Sequence, residues 1–276
     1  MDFSTIYRPL TSRPFLSDDS YREMVPCRAL RPYIACYWIS KGSGAGAGKK
    51  GGEILVIPDT CMDLIIKVDH GSQTVTGYLS ALFDRPFTVK EKEADGAVTT
   101  FAIRFYFWAA HLFLDLDFKE THNHTLDLRD LGADWVELFW QAFDMGDLER
   151  QTERIEAFLL KRLFWVEQNS NLFNSIHRIV HTAGNSSVKE ICDYCCVSQR
   201  QMERIFSKEI GLPLKRMVNL VRYQNVWREM VLSKDFDIHE AVYRFGYTDQ
   251  AHLLKEFRRF HGTSPKEAVK IAYANR

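Results

Sequence analysis

The chain is 276 residues long, 46% hydrophobic and 26% charged, and its 36 Lys+Arg balance 36 Asp+Glu to a formal net charge of zero. That length can bury two cores, the composition excludes a disordered or fibrous chain, and the neutral total excludes a uniformly basic surface. The longest mostly apolar run, residues 105–114, is too short to span a bilayer, and the first ten residues, MDFSTIYRPL, hold no apolar signal core, so a cytoplasmic chain without membrane contact is expected.

Residues 1–40 show no clear period until 33–39, which read as a strand after Pro32. Residues 41–52, KGSGAGAGKKGG, have the glycines and lysines of a phosphate loop but not its spacing, because Ser43 stands where G-x4-G-K-[ST] needs glycine and Lys50 where it needs Ser or Thr. They read as a flexible hairpin loop. Residues 53–57 and 63–68 are β-rich runs around the turn PDTCM, and 74–79, 87–90 and 98–107 continue the pattern, with turn signals at Gly71, Gly77 and Asp95-Gly96. Short strands at this spacing predict a barrel or sandwich.

After Ala109 the pattern turns helical. Residues 134–143 read as a short helix and 147–165 as a longer one, with Asp147 as its cap and Leu148, Ile155, Leu159 and Leu163 on one stripe. The polar stretch 167–171 reads as a linker, which divides the chain into residues 1–166 and 172–276. The expected class is α+β, a sheet-rich half with trailing helices followed by an all-α half.

Residues 172–182 open the second half, and the rest contains one unit twice, at 188–218 and 238–269. Val188 aligns with Ile238, Glu190 with Glu240, Ile191 with Ala241 and Ser198 with Thr248; past one inserted residue, Met202 aligns with Leu253, Phe206 with Phe257, Gly211 with Gly262, Lys215 with Lys266 and Val218 with Val269. Each copy is a short helix, a tight turn and a second helix. Met202, Ile205 and Phe206 face inward in the first copy, and Leu253, Leu254 and Phe257 in the second. Ser198 and Thr248 are placed to cap the second helices, Gly246 makes the second turn, and Gly211 ends helix 199–208. Such helix-turn-helix units can lay their second helices, 199–208 and 249–260, in a DNA major groove, with helix 216–232 fixing their separation.

Charge is distributed to match. Residues 172–276 hold 17 Lys+Arg against 11 Asp+Glu, a net of +6, and the remainder carries −6. The excess lies in the half with the repeats, as a phosphate-binding surface requires. On the outward faces, Arg200, Glu203, Arg204, Gln250, His252 and Lys255 are candidates for base edges, and Gln199 lies beside them. Ser198, Thr248, Lys215 and Lys266 are candidates for phosphates.

The six cysteines are expected to be reduced, and Cys192 and Cys195, despite C-x-x-C spacing, align with Val242 and Phe245 as small buried residues; redox sensing is the competing reading. Asp59, Asp63 and Arg104 are the polar residues of the most apolar strands, read as a structural ion pair or as an effector site. His122 and His124 form H-x-H with His111 nearby, but they follow the strands instead of opening one, so no metal or other cofactor is expected. No catalytic constellation stands out.

Residues 172–276 resemble the DNA-binding domain of AraC-type transcription regulators. The resemblance rests on Gly246-Tyr247 before the second recognition helix, Asp249-Gln250 at its start, Gly262-Thr263-Ser264-Pro265 after it, and Arg222 in the joining helix. The chain departs from the pattern at Pro213, one residue early, and at Leu253, where an aromatic residue is usual. Pro32-Tyr33-Ile34 with Tyr37-Trp38, Ile57-Pro58-Asp59 with Met62-Asp63-Leu64-Ile65, and Ile103-Arg104-Phe105 resemble an N-terminal domain found fused to such modules. Those domains are generally cupin-like barrels followed by helices. The resemblance implies a sensory or dimerising N-terminal half, double-stranded DNA and RNA polymerase as partners, and a small-molecule effector or a homodimer as the gate. The competing readings are a metal-binding cupin-type enzyme with a helical appendage and a scaffold that uses its helices for protein contacts.

Overall fold

Large apolar side chains gathered on one face of the long strands build the sheet of the first half. The computed structural model describes residues 2–15, 20–42, 53–90, 98–143, 148–163 and 168–274. The strands are β1 (Tyr21–Met24), β2 (Ile34–Gly42), β3 (Glu53–Val56), β4 (Cys61–Asp69), β5 (Thr74–Ser80), β6 (Phe87–Lys90), β7 (Val98–Tyr106) and β8 (Thr125–Asp127). Six form an antiparallel sheet in the order β1-β2-β7-β4-β5-β8, and β3 pairs with β6 in a separate two-stranded sheet. The register aligns Tyr37, Ile103, Leu64 and Leu79 in one row and Ile39, Phe101 and Ile66 in the next, all buried. Side chains alternate with period two. The opposite face therefore carries the rows Cys36, Arg104, Asp63, Ser80 and Trp38, Ala102, Ile65, Tyr78.

The edge strands β1 and β8 are additions to the expected set. Each is short and held by pairing to a longer neighbour, so neither has enough residues to show a period. The stretch after Ala109 is less helical than expected. Helix α1 (Ala110–Phe113) is a single turn, and irregular chain with turns at 119–120 and 122–123 leads from it to β8. Helices α2 (Ala133–Phe143) and α3 (Leu148–Leu163) follow at the expected places. The glycine loop 43–52, the Asp95-Gly96 turn, the Asp147 cap and residues 164–167 lie outside the described residues.

The second half is helical throughout: α4 (Ser170–His181), α5 (Val188–Cys195), α6 (Gln199–Glu209), α7 (Leu214–Leu232), α8 (Ile238–Arg244), α9 (Gln250–His261) and α10 (Pro265–Tyr273). Polar caps set most of the helix starts. Ser187 and Glu190 form a reciprocal capping box on α5, and Asn169, Ser198, Asp237, Asp249 and Ser264 each accept a first-turn N–H. The alignment of the two units changes in one respect. Asp249, not Thr248, caps α9, so the inserted residue sits in the turn before the cap, and Thr248 is that residue. The predicted inward residues Met202, Ile205, Phe206, Leu253 and Phe257 are all buried, and Leu254 is half-buried.

The two halves share one continuous buried core. Gln224, in the middle of α7, is buried; its amide donates to Leu10 O at 3.2 Å and Pro58 O at 2.8 Å and accepts from Leu10 N at 2.8 Å. Trp227 Nε1 donates to Thr11 O at 3.1 Å. Residues 2–15 thus cross the helical half, from Phe3 against Phe173 on α4 to Phe15 against Tyr273 on α10. Phe118 N donates to Lys208 O at the end of α6, and Arg216 pairs with Asp84 at 2.9 Å.

His111, on α1, lies at the same seam, and neither ring nitrogen has a hydrogen-bond partner. Burial pulls its pKa down from 6.5 to about 4. A histidine with a depressed folded value stays neutral while the unfolded chain takes up a proton, so its stabilising share is present above pH 6.5 and lost as pH falls toward 4. That loss is at most on the order of 3 kcal/mol at the acid end, because the Glu209 carboxylate 3.6 Å from Nε2 offsets part of it. Urea melts at pH 7 and pH 4.5 are expected to show a smaller acid loss for His111→Phe than for the parent; equal losses would contradict the assignment.

Candidate nucleic-acid interface

The starts of α6 and α9 bring the sequence candidates into view. On α6, Ser198 Oγ accepts from Gln201 N at 3.3 Å, and Gln199, Arg200 and Arg204 are exposed. Glu203 does not belong with them. It is half-buried and its Oε2 accepts from Leu214 N at 3.2 Å, which supplies the acceptor that Pro213, the cap of α7, lacks. On α9, Gln250 and Lys255 are exposed. His252 is half-buried with its ring edge-on to Tyr247, and its Nδ1 accepts from Thr248 N at 3.4 Å. Thr248 is exposed in the turn, so its amide is held locally. Lys215 and Lys266 are exposed in the first turns of α7 and α10.

Between the two units runs a groove of about 890 Å³, lined by Lys189, Gln199, Lys215, Asn219, His252, Lys255 and Arg259 among others. Sequence reasoning missed Lys189, Asn219 and Arg259 as site residues, because α5, α6, α7 and α9 meet there only in three dimensions. Two glycines close the floor. Gly184 has φ +77, and a Cβ there would stand 2.5 Å from Arg222 N; Gly246 has φ +66, and a Cβ there would meet Asn185 Oδ1 at 1.8 Å. Arg222 locks the units from below. Its guanidinium donates to both Glu256 oxygens at 2.9 Å and stacks over the Tyr247 ring, whose hydroxyl donates to Glu256 at 2.7 Å.

In the sheet-rich half, Asp59, Asp63 and Arg104 come together. Arg104 pairs with Asp59 and, at 3.4 Å, with Asp63, whose other oxygen accepts from Trp38 Nε1 at 3.0 Å. Burial pushes the Asp59 carboxyl up against the pull of Arg104. The three satisfy one another, as a partly buried ion cluster must. The histidines do not converge: His111 lies 3.6 Å from Glu209, and His124 Nδ1 lies 2.9 Å from the His122 carbonyl. Among the described residues no three His, Cys, Asp or Glu side chains are grouped to hold a metal ion. Cys192 and Cys195 are buried, and burial raises both thiols, Cys195 to about 11, which disfavours thiolate chemistry. Cys196 is exposed because it forms the left-handed C-cap of α5.

Residues 191–270 match a family model described as a helix-turn-helix domain, and residues 22–127 match one described as a domain of unknown function, DUF6597. Among curated proteins, none matches the chain. Among solved structures, ToxT from Vibrio cholerae aligns over 93% of this chain and 100% of its own at 12% identity and a TM-score of 0.45. A transcriptional regulator with an AraC-type DNA-binding domain from Chromobacterium violaceum aligns over 38% of this chain and 95% of its own, at 18% identity and a TM-score of 0.34. The xylose-binding transcription activator xylR covers 52% of this chain and 39% of its own, at 17% identity and a TM-score of 0.34. Among the described residues no helix is long and apolar enough to cross a membrane.

Proposed function

We infer that this chain, whose residues 191–270 match a helix-turn-helix domain, is a DNA-binding transcription regulator of the AraC type that reads one operator with two recognition helices. The observation that carries this reading is the pairing of exposed helix starts, Gln199, Arg200 and Arg204 on α6 with Gln250 and Lys255 on α9, across one basic groove. In each helix the start can approach base edges while the inward face stays in the core. Arg and Lys suit guanine and Gln suits adenine. Ser198, Lys215 and Lys266 are assigned to phosphates. The two helices enter successive major-groove segments on one face of the duplex, roughly 34 Å apart.

The test is salt-dependent binding of the whole chain to a pool of random duplexes. Affinity is expected to fall steeply as salt rises, through counterion release. Absence of salt-dependent binding in every pool would overturn the reading. Within the bound pool, Arg204→Ala and Lys255→Ala are expected to weaken binding by about 1–3 kcal/mol each and to relax preference at separate positions about 10 base pairs apart. Relaxation of the same base pairs by both would contradict two-groove docking.

The sheet-rich half is assigned the sensory role. Its half-buried face, with Trp38, Tyr78, Asp63 and Arg104 in adjacent rows, offers aromatic and charged groups to a small effector. Because Arg104 is already paired, such a ligand acts by breaking that cluster. Homodimerisation through this half and contact with RNA polymerase complete the proposal, with a cytoplasmic location and no catalytic activity.

A further inference from the structure

The geometry points to the groove between the two units as the seat of the DNA phosphodiester backbone that crosses from one major-groove segment to the next, held by Lys189, Lys215, Asn219 and Arg259. This rests on the DNA-binding reading above and adds to it a sequence-independent clamp.

Three observations carry it. The groove has α6 on one wall, through Gln199, and α9 on the other, through His252, Lys255 and Arg259, with α7 between them as the floor. When each helix start faces base edges, the duplex segment lying over the floor is the one between two major-groove segments. There the duplex presents a minor groove flanked by phosphates, and no major-groove base edge is within reach. What the floor meets is therefore backbone.

Second, the lining is cationic without compensation. Lys189, Lys215, Lys255 and Arg259 line it, and none of them has an ion-pair partner among the described residues. The carboxylate in the lining, Glu256, is cancelled by its bidentate partner Arg222. Asn219, half-buried on α7, adds an amide donor between Lys215 and Arg222.

Third, the groove is held at a fixed width. Gly184 brings the α4–α5 turn against the backbone of α7, and Gly246 brings the α8–α9 turn against Asn185. A groove made by backbone contacts and a buried ion pair suits a repeating backbone of fixed dimensions.

The test uses the whole chain, a duplex chosen from its bound pool, and the double variant Lys189→Ala/Arg259→Ala, whose two side chains are exposed and outside the set assigned to base edges. The slope of log K against log salt is expected to flatten by about 0.9 for each phosphate no longer neutralised, and affinity to fall about tenfold for each near 0.1 M salt. The preferred sequence is expected not to change. A second duplex carries neutral methylphosphonates at the backbone positions between the two bound segments. It is expected to weaken the parent protein more than the double variant, in which only Lys215 and Asn219 still face those positions, because part of the same charge pairing is then removed from either side. An unchanged slope, an altered base preference, or equal weakening of parent and variant by the methylphosphonates would overturn the seat. Failure of the parent to bind any duplex of the random pool in a salt-dependent way would instead overturn the DNA-binding reading, so the two failures are distinct.

Discussion

Phe206→Ala and Phe257→Ala each lower stability by about 3–5 kcal/mol, the range for truncating a fully buried phenylalanine. Both side chains are buried to 1% exposure or less. They occupy the same position in the two units, on the inward faces of α6 and α9. The Phe257 ring stacks on His261 at 4.9 Å and meets Trp227 edge-on at 6.0 Å, so its loss opens a cavity beside the joining helix. The carbonyl of Phe206 accepts from both Ile210 N and Gly211 N at 2.9 Å, which fixes the backbone that carries the ring at the end of α6. The core around both is continuous with that of the sheet-rich half, so relaxation into the cavity is limited on every side. Denaturant melts followed by far-UV dichroism provide the measurement. A parent-like midpoint in either variant would mean that the helix faces are assigned the wrong way round.

Arg222→Ala is expected to cost a comparable amount, about 3–5 kcal/mol, for an electrostatic reason. It leaves the Glu256 carboxylate at 8% exposure with Tyr247 as its remaining hydrogen-bond donor. The penalty lies in the orphaned charge more than in the missing attraction. Replacing both partners with apolar side chains, Arg222→Met with Glu256→Leu, should therefore recover most of the stability. If the double variant is no more stable than Arg222→Ala alone, the pair contributes through geometry that an apolar couple cannot supply. In that case the lock between α7 and α9 is directional.

The repeat is legible in the sequence because it is local. Caps, turn glycines and inward aromatics follow one another within about twenty residues, and each has its own residue type. Its misplaced cap, Thr248 for Asp249, arises because either residue can cap a helix. The backbone selects the residue whose side chain reaches His252 N, at 2.7 Å. Glu203 misleads for the opposite reason. It does lie beside the outward face, but an uncapped neighbouring helix begins within its reach, and no periodicity reports the start of another helix. Asp59, Asp63 and Arg104 stand out as the polar residues of apolar strands. That they saturate one another depends on the β4–β7 register, which no sequence pattern encodes. The groove is invisible for the same reason, since Lys189, Lys215 and Arg259 come from three helices.

The seam at Gln224 and Trp227 bears on how this protein can be re-engineered. Regulators with separable halves invite chimaeras, in which a DNA-reading module is grafted behind a foreign receptor. Here a cut near residue 168 would strip α7 of the carbonyls of Leu10, Thr11 and Pro58. It would expose an indole and an amide that are now fully enclosed. The graft would carry a sticky, under-bonded stripe along its central helix. A working fusion would have to bring residues 2–15 with it or repaint that stripe with soluble side chains.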